Sequence, residues 1–518
     1  MSTSSKLIIL TAVLASLLEI IDTSIVNVAI PTMMGNLGAT LEDISWVVTG
    51  YIIANAIVLP LSAWLGGRIG RRKYFVGCIL LFTATSVACG LAPNLITLTI
   101  FRIFQGLAGG ALLPTSQTLI YEQFSKEKAG VGSAIFGMSV MIGPTLGPTL
   151  GGYLTDHFGW RMIFNINLPL GLLAAGMAYM NVKEPSHARA KTEPKARIDS
   201  VGLALLTVGI GSLQYVLERG QADEWFASKV IATCTLIASI SIPTFIWWEL
   251  KVKDPIINLR LFLNPLVRSG TALMLALGFF LYGLVFITPI FVVRVLHYNA
   301  TETGMLFIPG SLLTAFCMPF IGKALQKFDG RYLIFIGFCF IEICAFMMTQ
   351  YSAQTDHNQI FWALIVRGLA MAFLFVPINT VVLGQFQGPN LGQVSGLMNL
   401  LRQIGGSIGI ALLSTLLTKN SHQNYVDLAG RVSLLDPATR LAVQQIQVGM
   451  AGKMSELVGF AAPNQATLQA LYYRIENQVF VMSFAQMMWI MIVIVAFAII
   501  PLLFLKAPKG PLKAVDVH

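Results

Sequence analysis

Gly143-Pro144-Thr145-Leu146-Gly147-Pro148-Thr149-Leu150-Gly151-Gly152 lies inside an apolar run from about Val131 to Tyr153. Residues that normally break helices are concentrated where a membrane-spanning helix is expected. Gly143, Gly147 and Gly151 share one helix face and allow a neighbouring backbone to approach closely, while Pro144 and Pro148 each delete a backbone donor and should bend the helix. Gly152 extends the small-residue seam. The plain alternative is a packing seam of the kind found in any helical membrane bundle; the rest of the chain bears on which holds.

Of 518 residues, 55% are hydrophobic and 11% charged, against roughly 25% charged in a soluble domain. Apolar stretches of about twenty residues recur along the chain, the first near 7–30 and the last near 479–505. They predict an all-α polytopic membrane protein with fourteen transmembrane helices. The opening run is read as the first span: it is too long for the apolar region of a signal peptide and contains Glu19 and Asp22. A net charge of +10 could suggest nucleic acid, but the basic residues are spread over short loops and no soluble basic domain would hold a duplex. Their placement carries topology instead. Arg68, Arg71, Arg72 and Lys73, then Lys126 and Lys128, the 183–197 cluster, and Lys323, Lys327 and Arg331 fall in alternate loops. The positive-inside rule therefore puts both termini in the cytoplasm. The six cysteines all lie in apolar spans, so neither disulfides nor a metal site are expected.

Two halves are legible. Residues 1–182 form a six-helix half, 183–198 a solvated linker, 199–250 an inserted helix pair, and 251–518 a second half of six spans. Phe101-Arg102 with Gln105-Gly106 in the fourth span is echoed by Val366-Arg367-Gly368 in the twelfth, and the basic loop after the second span by Gly322 to Arg331. Internal duplication around a midplane site is a common plan of secondary transporters. The segment 420–478, between the last two spans, is an external loop much longer than the others. Its stretches Leu441-Ala442-Val443-Gln444-Gln445-Ile446 and Leu468-Gln469-Ala470-Leu471-Tyr472 read as short amphipathic helices, a docking or lid element rather than a passive loop.

Ionisable groups inside a membrane cost about 2.5–3.5 kcal/mol each on insertion scales, so each needs a reason. In the first span Ser16, Glu19, Asp22, Thr23 and Asn27 make one polar stripe. Glu19 and Asp22, three apart, are neighbours on it. Two carboxylates this close in a low-dielectric cavity cannot both ionise cheaply, and such a pair suits proton exchange near neutral pH. Arg102 in the fourth span shares a face with Gln105, Gly106 and Gly109 and can neutralise a carboxylate; the alternative to a coupling switch is a permanent ion pair. Asn27, Gln105, Asn379 and Asn399 are candidate lining of a substrate cavity. Arg367, Arg402 and Glu342 are expected to secure packing or a gate rather than bind substrate. Arg68, Gly70, Arg71 and Arg72 form a tight basic turn, expected to latch onto acidic groups or helix C-termini of the other half. No phosphate-binding loop and no HExxH pair occurs, so an enzyme is disfavoured, no cofactor is called for, and energy would come from a gradient.

These residues resemble the major facilitator superfamily, and within it the fourteen-helix drug:proton antiporters. Gly143 to Gly152 is similar to the fifth-helix antiporter motif, Leu98-x-x-x-Arg102-x-x-Gln105-Gly106 to the fourth-helix motif, and Leu18 to Pro31 to the first-helix signature. The Arg68 loop departs from the family pattern, with Gly67 at the usual acidic position and Ser62 at the leading glycine. Val48-Thr49-Gly50 with Ala54-Asn55-Ala56, Trp160 to Pro169, Ser212-Leu213-Gln214, Asp223-Glu224-Trp225-Phe226 and Ser395-Gly396-Leu397 point to the EmrB-like subgroup. That resemblance implies a proton-driven exporter of hydrophobic or amphipathic compounds in the bacterial inner membrane. It also implies a periplasmic EmrA-like membrane fusion protein and a TolC-like outer-membrane channel as partners. A dedicated exporter of one endogenous metabolite, such as a siderophore or fatty acid, is the runner-up; an uncoupled channel or scaffold subunit is the rival class.

Overall fold

Among the described residues the connections are short and the polar residues in them start helices. Thr40 accepts from the Asp43 N–H at 3.2 Å and Asn94 from that of Thr97 at 2.9 Å, while Asn299 and Glu302 close a reciprocal capping box. A computed structural model describes residues 3–184, 199–431, 441 and 463–505. The first half comprises α1 (Thr3–Leu37), α2 (Leu41–Ile69), α3 (Arg71–Gly90), α4 (Leu95–Gly109), α5 (Leu112–Tyr121), α6 (Ala129–Phe158), α7 (Met162–Asn165) and α8 (Asn167–Asn181). The inserted pair is α9 (Ser200–Arg219) and α10 (Lys229–Lys251). The second half comprises α11 (Pro265–Leu296), α12 (Ala300–Ala324), α13 (Gly330–Thr349), α14 (His357–Leu383), α15 (Gly388–Arg431), α16 (Pro463–Ala498) and α17 (Ile500–Leu503). Among the described residues, 13 helical stretches are long and apolar enough to cross a membrane, with α4 and α5 counted as one. The 30-residue α6 is of spanning length too. The architecture is that of a polytopic all-α membrane protein with two six-helix halves and an inserted pair.

The glycine-proline segment lies within α6, and the helix is continuous through both prolines. Its glycine face packs on α1: a Cβ on Gly143 would strike Ile20, one on Gly147 would strike Ser24, and one on Gly151 would come within 2.9 Å of the Ile25 carbonyl oxygen. Gly152 is ordinary, with a Val28 carbon at 3.9 Å from the position of an added Cβ. The partner of the seam is therefore the helix that carries Glu19 and Asp22, within the same half. The Ser24 hydroxyl donates to the Gly143 carbonyl at 3.2 Å and ties the two together.

The halves meet along α2 with α15, α5 with α15, and α6 with α12 and α14. Gly130 of α6 and Gly322 of α12 pass backbone against backbone, an added Cβ on either coming within 2.5 Å of the other's carbonyl oxygen. The inserted α9 packs on α2 and on α15, one helix from each half. Arg219 donates to Ser45 of α2 at 2.6 Å, Ser407 of α15 donates to Glu218 at 2.8 Å, and the Trp225 indole donates to Thr415 of α15 at 3.0 Å.

The long external loop differs from expectation where it is described. It begins and ends as continuations of its flanking helices: α15 has 44 residues, about 66 Å at 1.5 Å per residue, roughly twice a bilayer core. Asn424 donates to Ser483 at 2.9 Å and to Gln486 at 3.1 Å, and Tyr425 meets Tyr472 edge-on. Polar pairing between the two helices carries them past the apolar run, which is all that hydropathy marks. Leu468 to Tyr472 is part of α16; residues 442–446 of the other amphipathic stretch lie outside the described residues.

Candidate transport site

Asp22 is fully buried among α1, α3, α4 and α8, and every group that meets it donates. Arg102 Nη1 stands 2.5 Å from Oδ2. Gln105 Nε2 and Asn167 Nδ2 donate to Oδ1 at 2.9 and 2.8 Å. Asn167 is itself positioned by Ser86, whose hydroxyl donates to the Phe164 carbonyl. Arg102 is satisfied as well: Nε donates to the Val47 carbonyl at 3.1 Å, Nη1 also to Gln105 at 2.9 Å, and the guanidinium lies 4.2 Å from the Tyr51 ring centroid. A buried charge pair is tolerable only when its remaining hydrogen-bonding capacity is met, and removing one partner of such a pair costs about 3–5 kcal/mol.

Glu19, one turn earlier, is also buried but meets only neutral donors. Asn55 of α2 donates to Oε1 at 2.8 Å and the Leu113 N–H to Oε2 at 3.1 Å. The second donor exists because the fourth span breaks. Gly106, Gly109 and Gly110 press against α2, where a Cβ on Gly110 would come within 2.6 Å of the Asn55 carbonyl oxygen. The helix restarts at Leu112, so the Leu113 N–H, with no intrahelical acceptor, turns to the carboxyl. Arg402 of the other half lies close enough for its charge to act on Glu19 through space.

Between the halves, Gln117 of α5 donates to Asn379 at 2.8 Å and accepts from Ser395 at 2.6 Å and Asn399 at 2.8 Å. Arg402 donates to Asn399 at 3.1 Å while its Nε and Nη1 are buried without partners among the described residues. Arg367, the echo of Arg102, lies over the Phe307 ring at 4.9 Å with Nη1 likewise unsatisfied. The two halves share a buried arginine in the fourth helix, but among the described residues only the first half gives it a carboxylate.

Several expected cavity residues are placed differently. Gln105 is sequestered between Asp22 and Arg102; Asn379 and Asn399 are fully buried in the inter-half cluster; Asn27 is exposed. The basic turn also departs from expectation. Gly70, with φ of 99°, lets the chain reverse between α2 and α3. Glu184 then caps α3, accepting from the Arg71 and Arg72 N–H groups at 3.0 Å each. Arg71 forks onto Glu122, Arg72 stacks on Tyr179 and Arg68 on Trp64. The acidic partners belong to the same half, because the end of the sixth span brings Glu184 to an α3 terminus that has no acid of its own. Asn55, Asn167 and Gln117 carry much of this network and were not among the residues expected at the site; Asn55 and Asn167 lie within the Ala54–Ala56 and Trp160–Pro169 stretches that resemble the EmrB-like subgroup, while the one signal of Gln117 is an amide inside an apolar run.

The sequence matches the Major Facilitator Superfamily over residues 12–410. Multidrug export protein EmrB of Escherichia coli (strain K12) is 34% identical over 483 residues, 92% of this chain and 93% of that protein. Fatty acid resistance protein FarB of Neisseria gonorrhoeae is 34% identical over 442 residues, 84% of this chain and 86% of that one. Of solved structures, the human organic anion transporter MFSD10 (TETRAN) aligns with a TM-score of 0.63 at 13% identity, over 98% of this chain and 100% of that one, a likeness of fold.

Proposed function

We propose that this chain, which belongs to the major facilitator superfamily, is a proton-coupled exporter of hydrophobic or amphipathic compounds. Its membrane is the bacterial inner membrane, with both termini and the Arg68–Arg72 turn on the cytoplasmic side. The extent of the likeness to proteins named for multidrug export supports the export reading. The observation that carries coupling is the Asp22–Arg102 pair: a scaffold or passive channel gains nothing from burying a carboxylate that needs three polar groups to hold it.

In this reading Asp22 takes up a proton only when Arg102 lets go. Arg102 keeps Val47, Gln105 and Tyr51 in either case, so it can release the carboxylate without becoming a bare buried cation. The α6 seam of Gly143, Gly147 and Gly151 allows α1 to shift against it, with Pro144 and Pro148 lowering the number of backbone bonds to be strained. Glu19, at the break of the fourth span and opposite Arg402, links substrate occupancy to that shift. The Arg71 and Glu184 contacts hold the cytoplasmic ends of α3, α5 and α8 as one body. The arms of α15 and α16 beyond the bilayer face the periplasm, where an EmrA-like adaptor and a TolC-like channel would complete the path. FarB, at the same identity, supports a second reading, export of one class of fatty acid. Purified protein in liposomes separates them: proton release on adding several unrelated hydrophobic compounds supports the multidrug reading, release with fatty acids alone supports the second, and release with none removes coupled export.

A further inference from the structure

The inserted pair stands between the halves, and its two sides are fastened differently. At the end of the bundle opposite the basic turn, Arg219 of α9 is buried and turned to the first half. Its Nη1 donates to the Ser45 hydroxyl at 2.6 Å and the Glu42 carbonyl at 3.3 Å, and its Nη2 to the Glu42 carboxylate at 3.2 Å and to Asp223 at 2.9 Å. Three of these four bonds go to α2, and a guanidinium that uses both terminal nitrogens is fixed in orientation as well as in place. Beside it Trp46 of α2 stacks on Tyr215 of α9, ring centroids 5.6 Å apart.

The side turned to α15 carries two separate single bonds, Ser407 to Glu218 at 2.8 Å and the Trp225 indole to Thr415 at 3.0 Å. The second comes from the Asp223-Glu224-Trp225-Phe226 stretch, which the transport site does not use. Glu224 and Trp225, with φ of 57° and 52°, both lie in the left-handed region, which residues with side chains occupy only where surrounding contacts hold them. The Trp225 ring packs over Gly220, where an added Cβ would come within 2.6 Å of it, and the indole also donates to Gln221 of its own turn at 3.1 Å. The turn thus holds the ring and gives it a second acceptor, so the bond to Thr415 can be lost without leaving the indole unmade. One turn from Glu218 on the same face, Gln214 is fully buried with neither amide atom bonded among the described residues, so this face does not meet its hydrogen-bonding capacity in the present arrangement. Farther along α9, Leu206 and Ile210 share an apolar cluster with Leu397, Leu400 and Ile404 of α15, and apolar contact is non-directional and fixes no register.

We propose that the inserted pair travels with the first half, and that Trp225 and Glu218 form a clasp on α15 that opens whenever the second half turns away from α2. The clasp joins the halves in the arrangement described here and contributes nothing once α15 has left, so it biases the populations of the transport states.

The test needs neither substrate nor a proton gradient. Spin labels are carried on an unnatural ketone amino acid, which spares the six native cysteines. They are placed in pairs among the exposed positions Asn36 of α1, Val230 of α10 and Thr418 of α15, and distances are measured by pulsed electron resonance on the full-length protein in nanodiscs. Three proteins are compared: the wild type; Trp225→Phe with Ser407→Ala, which removes both clasp donors; and Gly130→Leu, which pries apart the close approach of Gly130 to Gly322. The Val230–Asn36 distance should stay the same in all three. The Val230–Thr418 distance should gain a second population displaced by about 5 Å, one helical turn, and removing two hydrogen bonds should raise that population about tenfold over the wild type. A constant Val230–Thr418 distance with a changing Val230–Asn36 distance would mean that the pair travels with the second half. Change in both would make it an independent body, and constancy of both in all three proteins would make it a fixed tie; each of these results overturns the clasp. Because no readout depends on proton coupling, failure here is distinguishable from failure of the export reading.

Discussion

Asp22 and Glu19 stand one turn apart on one face of α1, and their surroundings are opposite. Asp22 is met by a guanidinium and two amides drawn from two other spans of its own half. Glu19 is met by one amide and one backbone N–H released by a break in the fourth span, and the charge of Arg402, from the other half, acts on it through space. Equal burial therefore does not mean equal role. In the proposed function Asp22 couples protons to movement, since its tie to Arg102 breaks only when the helices carrying the two groups separate. A carboxyl held by neutral donors at the border of the halves is suited to sensing what lies between them.

The sharpest way to break this comparison is at Asp22. Asp22→Asn removes the charge that Arg102 balances, and proton-driven export in proteoliposomes should fall by roughly 100-fold, equivalent to about 2.7 kcal/mol, with membrane levels retained. Arg102→Ala should be as severe, because it strands a buried carboxylate. Arg102→Lys should keep partial activity, since one charged contact to Asp22 survives though the bond to Val47 does not; equal rates for the two Arg102 variants would make its charge irrelevant. Gly147→Leu comes next. Overpacking of this kind costs about 1–3 kcal/mol, here between α6 and α1, and transport should drop about tenfold while substrate binding persists; unchanged transport would mean that α1 does not move on α6. The smallest effect is expected at Glu19. Glu19→Gln replaces one acceptor by a donor facing the Leu113 or Asn55 donor, a loss of about one hydrogen bond, and should reduce transport about fivefold with a spread among substrates. A uniform loss across chemically different substrates would count against a substrate-facing role and bring the two carboxylates back to one function.

Much of this was legible in the sequence. Apolar runs gave the spans, and the spacing of Glu19, Asp22, Arg102 and Gln105 brought out the residues that the fold gathers in the first half. Spacing along one helix reports a shared face, not what that face meets. That is why Gln105 could be read as cavity lining although it bridges Asp22 and Arg102, and why the three-residue spacing of Glu19 and Asp22 did not show that different helices enclose them. The break at Gly109-Gly110 was hidden for a similar reason: glycine in an apolar run is common, and only the approach of the Asn55 backbone makes it a restart that frees the Leu113 N–H. The Arg71 partners, Glu122 and Glu184, lie 51 and 113 residues away, beyond any local pattern. Asn379 and Asn399 were visible as isolated amides, but their common partner Gln117 belongs to the other half.

The division of labour between the two carboxylates is tested most directly by proton release on substrate addition to the purified protein, compared for the wild type and for Asp22→Asn at saturating substrate. The account predicts release from the wild type and none from Asp22→Asn, while substrate binding, followed separately, is retained. Undiminished proton release from Asp22→Asn would place coupling elsewhere and leave the Asp22–Arg102 pair as a structural tie.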